Sequence, residues 1–178
     1  MGTGSPMGGR MKPHFVIAMV LGALTVTACA DDPANLPERG EWETTTRVTR
    51  LALDGQVLPR DIYPAEITDL EKTERRCGEP IFTDRARQER DIDRQVDGDC
   101  TIINHQVGPS QIIGNGKCEG VSIGENFSPV FRMTIDQAPE SFQVRLTMEG
   151  AADLSDAGRH MISATAILEG RRVGDCLF

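Results

Sequence analysis

The sequence predicts a mainly β domain with a minor α component: a single antiparallel β-meander, a curled sheet or partly closed barrel, with a short helical insertion between the first strand and the later ones. Three observations lead there. Apolar and polar residues alternate with period two at Glu41–Val48, Phe131–Asp136, Phe142–Glu149 and His160–Glu169, and Thr101–Val107 and Gln111–Glu119 read as two further strands around a turn signal. The later runs are joined by short connections, which favour antiparallel neighbours. Residues 64–96 break the pattern with Pro64, a capping-box spacing and dense charge.

In the first run Trp42, Thr44, Thr46 and Val48 point one way and Glu41, Glu43, Thr45 and Arg47 the other. After Arg50 the apolar parity passes to Leu51 and Leu53, which predicts a bulge or bend. Pro64, Ile67, Leu70 and the spacing Thr68-x-x-Glu71 fit a capping box and a short helix, so segment 64–77 is a candidate cover for the sheet. Asp84–Val96 offers only Ala86, Ile92 and Val96 for burial and reads as a solvated helix or a loop.

Thr101–Val107 and Gln111–Glu119 flank Gly108-Pro109-Ser110, a turn signal. A three-residue loop there sets positions summing to 218 opposite one another, among them Cys100 and Cys118. Bridging asks for a Cβ separation of about 3.5–4.5 Å, which favours a non-hydrogen-bonded pair. Asn115-Gly116 is a competing hairpin signal that would break the second strand. In this hairpin Ile103, Ile113 and Val107 are expected on the face opposite Ile102 and Ile112, so both faces carry apolar residues. Phe142, Val144, Leu146 and Met148 form the clearest amphipathic strand, and Ile162, Ala164, Ala166 and Leu168 share one face of the last.

The first residues have the layout of a secretory signal. Lys12 and His14 form a polar start, Phe15–Val26 an apolar run, and small residues lead to Cys29. The run is shorter than the ~20 residues that span a bilayer. Met11 is a second candidate start. Val26-Thr27-Ala28-Cys29 resembles the bacterial lipobox, which implies acylation of the thiol, cleavage before Cys29 and acylation of the new amine. Two or three acyl chains anchor stably, at ~0.8 kcal/mol per buried CH₂. Residues 1–28 are thus expected to be a signal peptide, 29–40 a lipidated cysteine with a flexible tether, and 41–178 one β-rich domain. Ala30 stands where enteric lipoproteins retained in the inner membrane carry Asp, so the expected location is the envelope, facing the periplasm, on the outer membrane rather than the inner.

Removing Arg10 and Lys12 with residues 1–28 leaves 17 basic against 27 acidic residues, a net charge of −10. Such a body disfavours phosphate backbones, and 4% aromatic content offers few stacking platforms, so no nucleic-acid partner is expected. The remaining cysteines, Cys77, Cys100, Cys118 and Cys176, are even in number in an exported chain and read as a disulfide framework with three connectivities open. The hairpin register selects Cys100–Cys118 and leaves Cys77 to Cys176.

Several landmarks occur in order: Gly40-Glu41-Trp42-Glu43, Cys77, the Cys100–Cys118 hairpin, Thr- and Met-containing strands, and Gly170-Arg171-Arg172-Val173-Gly174-Asp175-Cys176. Over roughly residues 40–176 the chain resembles the DUF3617 family, small exported or lipid-anchored proteobacterial proteins without an assigned activity. It departs in lacking an aromatic between the paired cysteines and in its charged middle segment. The resemblance implies an envelope β-domain and brings no catalytic residues.

No cofactor or metal is expected. No C-x-x-C or Cys/His cluster suits zinc, and Asp93-x-Gln95-x-Asp97-Gly98 has Asn104 where a calcium loop needs its bidentate Glu. Gly114-x-Gly116-x-x-x-Gly120 misses dinucleotide spacing; its glycines fit close backbone approach or a bulge. Asn126-Phe127-Ser128 is a chance sequon. His105 and His160 are candidates for a base and its partner, but the serines lack nucleophile context, so no enzyme is expected. Met133, Met148 and Met161 read as core fillers rather than soft-metal ligands. The expected role is a non-catalytic binding or interaction module: membrane-attached by its lipid, with an envelope protein partner or a small apolar ligand facing Phe142, Leu146, Met148, Ala164 and Ala166. A hydrolase ranks lower.

Overall fold

The computed structural model describes residues 35–81, 84–91, 100–119, 127–154 and 158–176. The signal segment, Cys29 and its lipobox, the start of the tether, the calcium-like Asp93–Gly98, Gly120 and the Asn126 sequon lie outside them. In chain order the elements are β1 (Gly40–Leu53), β2 (Gln56–Val57), a 3₁₀ turn (Arg60–Ile62), α1 (Ala65–Thr68), β3 (Thr73–Gly78), α2 (Arg85–Asp91), β4 (Cys100–Val107), β5 (Gln111–Cys118), β6 (Val130–Ala138), β7 (Ser141–Leu154) and β8 (Gly158–Gly174).

The eight strands form one antiparallel sheet in the order β2-β1-β8-β7-β6-β5-β4, with β3 also on β1, and the sheet stays open. From β4 to β8 it is a meander. The first strand then pairs along most of its length with the last, which encloses the chain order between them. One face carries the core, and the other is mostly polar. All described strands, both disulfides and both core clusters lie in the compact unit Asp31–Phe178, which therefore contains everything the fold needs.

The parity switch in β1 is a register shift between Val48 and Arg50 against β8. The extra residue, Thr49, lets Val48 and Leu51 both enter the core, at 3% and 4% exposure. Asp54-Gly55, both at positive φ (50° and 83°), make the tight turn from β1 into β2.

The helical reading of 64–77 holds only for its first turn. Thr68 ends α1, its hydroxyl donating back to the Ala65 carbonyl, so it caps no N-terminus. Residues 73–78 are a strand on β1 rather than helix. Glu71 serves the sheet edge instead: its Oε1 accepts the Val48 N–H at 2.8 Å, while the Tyr63 hydroxyl accepts the Leu51 N–H at 3.0 Å and Arg60 donates to the Val48 carbonyl. Side chains thus fill the gap between β3 and β2, where the β1 backbone would otherwise lack partners.

The β4–β5 turn is one residue tighter than the three-residue loop expected. Val107 faces Ile112, so pairs near the turn sum to 219, and a shift between Ile102 and Asn104 restores 218 before Cys100 meets Cys118. The bulged residue is Ile103. Because of the tighter turn Val107 joins the covered face with Ile102 and Ile112, correcting the expectation that it shares a face with Ile103 and Ile113; those two stay exposed at 59% and 43%.

The structure bonds Cys100 to Cys118 and Cys77 to Cys176. The Cys118 N–H donates away from β4, to the Pro129 carbonyl, so Cys100–Cys118 is a non-hydrogen-bonded pair with Cα atoms 3.9 Å apart. Cys77 and the end of β8 lie on opposite sides of β1, both against Glu41. Two strand spacings would hold them about 9.6 Å apart. Their bridge brings Cα atoms to 5.6 Å, so the terminal residues fold across the start of β1.

Candidate functional site

The covered face holds two separate filled clusters. One gathers Trp42, Ile81, Ile112, Cys118, Phe131, Met133, Ile135 and Phe142, and the other Val48, Leu51, Ile67, Phe127, Ala152 and Ile162. Helix α2 closes the first. Its Gln88 exchanges two amide hydrogen bonds with Gln137 of β6, at 2.8 and 3.1 Å, and both side chains are buried. Arg85 donates to the carbonyls of Gly108 and Pro109, and Glu89 offers its carbonyl to His105 Nε2 at 2.8 Å. On the second cluster sits α1, through Ile67.

Between the cluster centres runs an apolar strip of partly buried residues, with Val144, Leu146, Met148 and Leu168 packed against the first cluster and Ala164 and Ala166 against the second. Cross-strand pairing sets Val144 opposite Leu168, Leu146 opposite Ala166 and Met148 opposite Ala164, and all six are half-buried. From Val144 to Met148 the strip extends about 14 Å at ~3.4 Å per residue. Its walls are the buried Phe131, Met133 and Ile135 of β6 on one side and Val48 and Leu51 of β1 on the other, each in register with the floor. Ala164 and Ala166 keep the β8 side of the floor low because they carry only methyl groups. Thr44 and Thr46 of β1, also half-buried, are polar groups near one end.

Of the five residues expected to face a ligand, Leu146, Met148, Ala164 and Ala166 meet here as two adjacent pairs. Phe142 does not join them. It is buried at 5% exposure with its ring 5.5 Å from that of Trp42, and so belongs to the first cluster. Val144 and Leu168 extend the floor; the β7 alternation contained the first and the β8 alternation the second. Gln88 gave no signal, since an isolated Gln in a charged stretch looks solvated, whereas Gln137 continues the inward parity of Phe131, Met133 and Ile135.

The two histidines do not meet. His105 lies on β4 and His160 on β8, with β5, β6 and β7 between them, about 19 Å at four strand spacings. His160 Nδ1 stands 2.7 Å from Asp54 Oδ2, and the same carboxylate accepts the Met161 N–H through Oδ1 at 2.9 Å. These contacts, the His160 bond first, hold the Asp54 carboxyl below its ordinary value. Met133 and Met148 share the covered face, whereas Met161 is 45% exposed on the other. Among the described residues no group of three or more His, Cys, Asp or Glu could hold a metal, and no helix is long and apolar enough to cross a membrane.

These features define a class: a disulfide-stapled open antiparallel sheet with one face capped by two short helices and a shallow apolar strip between the caps. The family model described as "Protein of unknown function (DUF3617)" matches residues 37–176, and the chain belongs to that family. No curated protein and no solved structure matches it.

Proposed function

We propose that the chain is an envelope lipoprotein, acylated at Cys29 and facing the periplasm from the outer membrane, and that it binds a small apolar ligand without catalysing a reaction. The binding surface is the strip floored by Leu146, Met148, Ala164 and Ala166. The observation that carries this is the half-burial of six apolar side chains between two clusters whose own members are below a tenth exposed. An apolar floor with polar groups confined to one end, here Thr44 and Thr46, suits a mostly hydrocarbon molecule. The lipobox resemblance and Ala30 after the cysteine support the anchor and its location.

Mass spectrometry of native material drawn from membranes tests both parts: acyl mass on the Cys29 peptide and an apolar molecule co-purifying with the folded chain are the expected results. Ala166→Leu adds bulk to the floor and is expected to abolish retention of that molecule while the two disulfides still form. Retention undiminished by that substitution would move the binding surface elsewhere.

A further inference from the structure

The opposite face of the sheet carries a second surface. Ile113, Thr134, Arg145, Ile167 and Arg47 form one row across β5, β6, β7, β8 and β1; Asn115, Arg132, Thr147, Thr165 and Arg50 form the next. The bulge at Thr49 is what brings Arg50 to this face. With unbroken alternation it would point with Val48 into the core. Four arginines of an acidic chain therefore stand together. Arg132 and Arg145, diagonal neighbours about 7–8 Å apart at Cα, form no ion pair among the described residues. Arg47 pairs with Glu169, and Arg50 donates to the Ser163 hydroxyl.

The acids of this face stand at the borders of the two rows. Asp136 accepts from Gln111 and Glu169 from Gln143 in the row on one side; Glu149 lies in the row on the other, which Lys117 also joins. Exposed aliphatic residues are mixed with the cations: Ile113 at 43%, Val130 at 60% and, further along β8, Met161 at 45%.

We infer that this face is a membrane-apposed surface on which Arg132, Arg145, Arg47 and Arg50 meet the headgroups of anionic phospholipids. Charge complementarity selects that partner. Arginines spread over one face of the sheet, neighbours about 7–10 Å apart at Cα and the outer ones about 14 Å or more, match separate headgroup phosphates better than one compact anion, and the interleaved aliphatic side chains have an apolar layer to enter just below them. Since the body carries net negative charge, attraction acts only when this face is turned to the bilayer and within a screening length of about 8 Å. The sheet's opposite side, with the strip, then faces away from the membrane. The inference rests on the lipid-anchor reading for its biological setting; the surface itself is testable without the acyl chains.

Residues 31–178, oxidised, are mixed with vesicles of phosphatidylcholine alone or with a third phosphatidylglycerol, and bound protein is measured by sedimentation over a salt series. Expected are binding that requires phosphatidylglycerol and falls with salt, and a loss of roughly thirty-fold in Arg132→Gln/Arg145→Gln, the effect of two surface arginines at ~1 kcal/mol each. Arg75→Gln/Arg171→Gln removes the same charge from the same face, beside Glu43 and two rows beyond the cluster, and is expected to weaken binding much less. Equal binding to both vesicles, equal loss in both double variants, or full displacement by inorganic phosphate but not by matched sodium chloride would each overturn the surface, the last by pointing to a discrete phosphate site. An unacylated Cys29 in native material would sink the anchor and leave this measurement unaffected.

Discussion

The ring of Phe142 lies over the backbone of Gly170, its cross-strand partner: a Cβ built at residue 170 would stand 2.0 Å from the ring's Cε1. The hydrogen in place of a side chain is what lets the ring settle onto β8 and reach Trp42. Gly170→Ala is therefore expected to push the ring off its partner and cost about 1–3 kcal/mol as overpacking, visible as a lower denaturant midpoint with an unchanged slope. A variant as stable as the parent would mean that Phe142 has another site open to it.

The two bridges differ in the loops they close, with sequence separations of 18 and 99 residues. On the chain-entropy account a short loop is worth about 3 kcal/mol and one near 100 residues about 4.7. Replacing Cys77 and Cys176 together by Ser is thus expected to lower stability more than replacing Cys100 and Cys118. Equilibrium unfolding of the two double variants without reductant decides; the reverse order would show that the hairpin bridge acts on the folded state rather than on the unfolded chain.

Alternation is local and was legible wherever one strand face is covered: Phe142–Met148 reads directly as β7, and the change of parity read after Arg50, as a bulge or bend, is the register shift that β1 makes against β8 between Val48 and Arg50. Pairing partners are not local. That β1 lies on β8 is carried by contacts between residues more than a hundred positions apart, with no local signature to announce them. The Cys100–Cys118 register came from a turn one residue too long, and Ile103 makes up the difference. Strand β3 escaped notice because residues Thr73–Cys77 are all exposed, so no face of it had to be apolar. For the candidate site, the apolar floor needed only the alternation in β7 and β8, whereas the arginine cluster needed the register of five strands at once.

Asp54 ties the β1–β2 turn to β8. Its carboxyl is held below the ordinary value of 3.8 chiefly by the hydrogen bond with His160, then by the Met161 N–H. A carboxyl depressed in the folded state stabilises above the unfolded value and loses that contribution as pH falls through the folded one. Asn tolerates the positive φ at this position, so Asp54→Asn removes the charge without straining the turn. The parent is expected to melt higher than the variant at about pH 6 and to converge on it toward about pH 2, because both then carry a neutral group. A gap that is constant over this range would assign the effect to hydrogen bonding alone.

Strand β4 forms one edge of the sheet, and its bulge controls what that edge presents. Cys100, Ile102, His105 and Val107 occupy non-hydrogen-bonded positions against β5, so their backbone groups point outward. A neighbouring strand needs such groups at every second residue, and Ile103 breaks the spacing between 102 and 105. The edge therefore offers two short segments out of phase, a poor template for another chain. Deleting Ile103 leaves every pair with β5 intact, because Ile102 and Asn104 already face consecutive residues, Gly116 and Asn115. The deletion is expected to keep both disulfides and the cooperative fold while making the edge regular. Sedimentation should then show self-association that rises with concentration beyond that of the parent, whereas Ile103→Lys, which keeps the bulge and removes only the exposed aliphatic group, should not. If the deletion variant sediments as the parent does at every concentration, some feature of the edge other than the bulge keeps it from pairing.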